Sequence, residues 1–92
     1  MTYDDALAVL RSWGGRDVTI HLEPEGTTMD GVLSALDGEG FFAVDAERTS
    51  GVALALFRDG FEEAALEGEA LTIRQGLVTA TVTCGGRRSG RD

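Results

Sequence analysis

Apolar positions along the chain recur first at helical spacing and then at every second residue. In residues 2–13, Ala6, Leu7, Leu10 and Trp13 form one stripe, the three-to-four-residue spacing of a helix packed on one face. Thr2 opens this segment. Its hydroxyl is placed to accept from the backbone N–H of Asp5 while Asp5 reaches back, a shorter relative of the capping box that ends in Glu. Gly14-Gly15 closes the helix, because glycine enters left-handed backbone without penalty.

From Asp17 the period changes to two. Val18, Ile20 and Leu22 alternate with Thr19, His21 and Glu23, which predicts a half-buried strand ended by Pro24-Glu25-Gly26. A second strand is expected over Thr28–Asp37, with Met29, Leu33 and Ala35 on one face. Gly31 at its middle is where a missing side chain permits a bend or bulge, as small barrels use to turn corners. After Asp37-Gly38-Glu39-Gly40, Phe41–Ala46 completes a three-stranded meander with Phe42 and Val44 facing together. Val52–Phe57 is a further apolar run. Ala70–Arg74 and Leu77–Thr83 read as a hairpin around Gln75-Gly76. Phe61–Leu66 fits two forms: one helical turn with Asp59 and Glu62 as a capping box, or a short edge strand. The tail Gly85–Asp92 has no apolar residue and is expected to be disordered. The pattern therefore predicts one mainly β domain over residues 1–84, a small antiparallel barrel with an N-terminal helix.

Charge narrows the function classes. The 92 residues carry a formal charge of -8, from 16 acids against eight basic residues, all arginine. Arg87, Arg88 and Arg91 lie in the tail, so residues 1–83 hold five arginines against fifteen acids, a body near -10. This opposes the basic footprint of a nucleic-acid binder. One cysteine, Cys84, cannot form an internal disulfide, and residues 1–13 carry acids where a secretory signal carries a basic region. No run approaches the ~20 apolar residues of a membrane span. A cytoplasmic protein with a reduced thiol and no membrane partner is the expectation.

The helix, the Gly-Gly turn and the stretch DVTIHLEPEGTTMDGVLSALDGEGFFAVD resemble the Sm-like family, the Sm, Lsm and Hfq-type proteins. The family's first motif has a bent strand reading Gly-x-Leu-x-x-aromatic-Asp, then Asn-Leu-x-Leu-x-Asp. Gly31, Leu33, Asp37, Phe42, Val44 and Asp45 fall at those places, with Leu36 at the aromatic position. The second motif has two candidates, Ile73-Arg74-Gln75-Gly76 and Phe57-Arg58-Asp59-Gly60, each with an extra residue between Arg and Gly. The resemblance implies a ring-forming barrel; on the assembly reading, the rows Val78, Ala80, Val82 and Phe42, Val44 lie in the barrel core and subunits pair through the second-motif strand. The resemblance also implies an RNA site at Asp37, Phe41 and Arg74, or Arg58 in place of Arg74. Phe41 stands where the family's base-reading Asn would be; a phenyl ring can stack a base but cannot read one.

Signs of catalysis are sparse. His21 with Glu23 on one strand face could form a dyad or half a metal site, but with no second nitrogen ligand it reads as a surface histidine. Cys84 has no neighbouring base, the serines lie in no nucleophile motif, and the Gly-rich pieces DGEGF and CGGRRSG lack the flanking strand and helix of a phosphate loop. No cofactor, metal or enzymatic activity is expected. The leading expectation is a homo-oligomeric assembly or protein-interaction module with an acidic surface. The alternatives are a divergent Sm-like RNA-binding protein, with its RNA disfavoured by charge, and an acidic decoy for a basic nucleic-acid site.

Overall fold

The computed structural model describes residues 1–36, 39–45 and 53–84. Asp37 and the tail 85–92 lie outside them, as does Val52. Helix α1 (Tyr3–Ser12) carries the expected cap: the Thr2 hydroxyl accepts from Asp5 N–H, and Thr2 N–H donates to the Asp5 carboxylate, each at 3.1 Å. Tyr3, Ala6, Leu7 and Leu10 are buried along one face, with Trp13 just past the end. Gly15 then turns with φ 85°, and its N–H donates to Leu33 O while Leu33 N–H donates to Arg16 O. These two bonds fasten the helix exit to the middle of the sheet.

Among the described residues seven strands follow: β1 (Asp17–Glu23), β2 (Thr27–Ala35), β3 (Phe41–Asp45), β4 (Leu54–Ala55), β5 (Phe61–Glu67), β6 (Ala70–Gln75) and β7 (Val78–Cys84). All described pairings are antiparallel, in the order β4-β3-β2-β1-β7-β6-β5. Two meanders thus run outward in opposite directions from a central β1–β7 pair. A chain-length argument fixes the shape. Residues 56–60 join β4 at one edge to β5 at the other, and the six steps from Ala55 to Phe61 span at most about 22 Å. Laid flat, seven strands at about 4.8 Å would put those edges about 29 Å apart. The sheet must curl until its edges approach, giving the barrel-like form with its ladder left open between β4 and β5.

The core inside this curl is made by the alternating rows: Val18 and Ile20, Leu33, Phe42 and Val44, Leu71 and Ile73, Ala80 and Val82, closed by Leu10 and Leu56. The first-motif residues Leu33 and Val44 are direct ladder partners, both buried. Several expectations change. Val78 is not in the core: as the first residue of β7 it is 39% exposed. Ala35, the last residue of β2, is exposed, while Leu33 on the same face is buried. The β1–β2 ladder passes through Gly31 without a register shift, and the irregularity falls instead between Phe61 and Glu63 in β5. Residues 61–67 are strand rather than a helical turn: they pair with β6 from Phe61–Gln75 to Glu67–Ala70 and bury Ala64 in the core. Cys84 ends β7 with its side chain fully buried, its N–H donating to Glu69 O. That removes the solvent access a nucleophilic thiol requires.

Candidate functional site: an aromatic corner and an open seam

Described residues joining β2 to β3 and β4 to β5 gather beside the first turn of α1. Gly40 turns with φ 83°, its carbonyl accepting from Leu56 N–H at 2.8 Å. A Cβ at this position would lie 2.6 Å from Leu56 O and 2.8 Å from the Tyr3 hydroxyl, so only glycine lets the three elements approach this closely. The Tyr3 ring meets Phe61 edge to face at 5.8 Å, and Phe41 meets Phe57 the same way at 6.3 Å. The Arg58 guanidinium lies 4.4 Å over the Tyr3 ring and bonds Asp4 at 3.1 Å and Glu39. Those two carboxylate bonds raise the Arg58 pKa. Burial, then the Glu39 carboxylate, pushes the Tyr3 hydroxyl up. Together Tyr3, Glu39, Phe41, Leu56, Phe57 and Arg58 line a groove of about 440 Å³.

Of the sequence-predicted RNA residues, Phe41 stands half-buried in this corner. Arg74 does not: it lies in a separate depression with Glu63, Ala65, Thr72 and Thr79, its Nε 3.3 Å from Glu62 and an Nη 3.3 Å from Glu63. Arg58, the other second-motif arginine, is the one beside Phe41, and it already faces two carboxylates. His21 bonds Thr28 through Nδ1 at 2.8 Å and Glu23 through Nε2 at 3.1 Å on the outer face of β1. Among the described residues, no three His, Cys, Asp or Glu side chains converge as metal ligands. No described helix is long and apolar enough to cross a membrane.

The open seam was not anticipated from the sequence. Where the ladder stops, the Gln75 carboxamide stands in for a missing strand: its Nε2 donates to Ala55 O at 2.6 Å, and its Oε1 accepts from Phe57 N–H at 3.0 Å. Those two backbone groups are two residues apart, the spacing at which one strand addresses its neighbour. Below Gln75 a groove of about 320 Å³ opens between β4 and the β6–β7 hairpin. Among the described residues it is lined by Leu22, Leu54, Ala55, Phe57, Val78 and Ala80 with others, none of them charged. Around it Phe57 is 54% exposed and Leu77, in the two-residue turn Gly76-Leu77, is 92% exposed. The turn is Gly76-Leu77 instead of the expected Gln75-Gly76, so Leu77, expected to open the last strand, stands in a turn, where polar residues are the rule. No protein-family model, curated protein or solved structure matches the chain, so its reading rests on this geometry.

Proposed function

We propose that this protein is a non-catalytic assembly module that forms a closed homo-oligomer and presents an acidic surface to a protein partner. The observation that carries this reading is the seam: a curled sheet bridged at its gap by a glutamine side chain, beside a groove whose described lining is uncharged and which is rimmed by exposed apolar residues. Open sheet edges and exposed apolar patches are what association covers. The Sm-like resemblance of the first half adds to it; Leu33, Phe42 and Val44, which carry that resemblance, are buried. The test is mass in solution by sedimentation equilibrium across a concentration range. A multiple of the chain mass is expected, and a monomer at every concentration sinks the reading.

RNA binding is the second reading, favoured by the half-buried Phe41 beside Phe57 and Arg58. Against it stand the glutamates on Arg74 and the carboxylates on Arg58. A titration with short single-stranded RNA separates the two. Affinity that falls steeply with salt and is lost in Phe41→Ala supports RNA, and no binding at low salt removes it.

A further inference from the structure

We propose that Arg58 is an ionic latch on the connection 56–60, and that its release lets the Phe57 N–H leave Gln75 and opens the β4 side of the seam. Three consecutive residues of this connection are fastened to different parts of the chain. Leu56 is held by burial and by its N–H, which donates to Gly40 O at 2.8 Å. Phe57 is held by its N–H, which donates to Gln75 Oε1 at 3.0 Å, and by its ring on Phe41. Arg58 lies over the Tyr3 ring at 4.4 Å and donates to Asp4 in the first turn of α1 and to Glu39 ahead of β3.

These fastenings differ in what loosens them. Burial of Leu56 does not depend on charge. The Arg58 side chain is 55% exposed and its partners Asp4 and Glu39 are 71% and 48% exposed, so both ion pairs lie in water, where salt screens them. Phe57 stands between the fixed residue and the releasable one. The acceptor of its N–H is the end of a glutamine side chain, which can turn away without breaking any described strand pairing. With Arg58 held, this bond is clamped from both sides; with Arg58 free, Leu56 alone steadies it. The moving part is thus residues 57–60, between Leu56 in the core and Phe61, which begins β5 with its ring against Tyr3. Ionic strength sets how often it opens. The latch is a property of the single chain and stands apart from the assembly reading.

The experiment reads amide hydrogen exchange residue by residue in the full chain, dilute and at fixed pH, at low and high salt, for the natural protein, Arg58→Met and Arg74→Met. Both arginine side chains are about half exposed, so the variants are expected to stay folded, with circular dichroism as the check. At low salt Phe57 should exchange about three- to tenfold faster in Arg58→Met than in the natural protein, the range that two exposed ion pairs and a cation–π contact imply. Leu56 should keep its rate. The difference at Phe57 should shrink as salt rises, because salt opens the natural latch while the variant has none to open. Arg74→Met, which loses two glutamate pairs of the same kind away from the connection, should match the natural protein at Phe57. Equal Phe57 rates in the natural protein and Arg58→Met at low salt overturn the latch. So does a difference that salt leaves unchanged, one that Arg74→Met reproduces, or an acceleration of Leu56 along with Phe57. Mass in solution enters none of these readings, so the latch and the assembly reading fail separately.

Discussion

The aromatic corner and the open seam share Phe57 yet handle their exposed groups in opposite ways. At the corner each described group has its partner inside the chain: Arg58 lies on Tyr3 between Asp4 and Glu39, Tyr3 packs on Phe61, and Gly40 bonds Leu56. At the seam a single glutamine replaces a strand, and the apolar side chains around it face solvent. The same fold thus has one region that is complete within the chain and one that a second chain can complete. That contrast, rather than any catalytic constellation, is what points to assembly.

The largest expected effect is on the helix whose first turn forms the corner. Leu10 is fully buried and holds α1 on the sheet, so Leu10→Ala should cost about 2–5 kcal/mol, read by urea denaturation. A cost below 1 kcal/mol would show that the helix is not integral to the core. Gly40→Ala comes next. Left-handed backbone and the clash with Leu56 O and the Tyr3 hydroxyl together imply about 2–4 kcal/mol. A neutral Gly40→Ala would mean that the corner can relax and is not the rigid region described.

The seam should respond more mildly in stability. Gln75→Ala leaves Ala55 O and Phe57 N–H without their protein partner at a half-buried site, for a loss of about 1–2 kcal/mol. If the assembly reading holds, its effect on self-association should exceed that of any substitution at Arg74, which lies in a different depression. Equal effects at both positions would dissolve the distinction between the seam and the rest of the surface.

The smallest effect is at the helix cap. Hydrogen bonds from Thr2, the backbone N–H foremost, hold the Asp5 carboxyl below its usual value. The folded chain therefore binds fewer protons than the unfolded chain across that interval. The associated stability is present above the ordinary carboxylate range and is lost as pH falls through the depressed folded value. Asp5→Asn should flatten that part of the acid limb of a stability profile; an unaltered limb contradicts the cap.

Much of the fold was legible because local chemistry and tertiary packing agree there. The Thr2–Asp5 cap, the Gly14-Gly15 stop and the alternation of Val18, Ile20 and Leu22 each act within a few residues, and each keeps its role in the folded chain. Phe61–Leu66 was ambiguous because Asp59 and Glu62 could cap a helical turn while the same residues could pair as an edge strand, and the partner that makes them a strand, β6, lies beyond a short window. Val78 was misplaced because strict alternation cannot tell a core row from the lip of a groove. The seam was illegible for a related reason. Gln75 bonds Ala55 and Phe57 across 18 to 20 residues, and nothing in a short window distinguishes it from an ordinary turn glutamine. Of the candidate RNA residues, Asp37 falls outside the described residues, and Phe41 and Arg74 lie apart. Spacing gave their order along the chain but not which arginine would face the ring.

The most direct test of the central claim is amide hydrogen exchange followed as the protein is concentrated. If a second copy completes the seam, Phe57, Leu77 and Val78 should gain protection with concentration while Leu10 and Leu56 at the helix-covered end stay constant. Protection at the seam that is the same in dilute and concentrated protein would contradict the account.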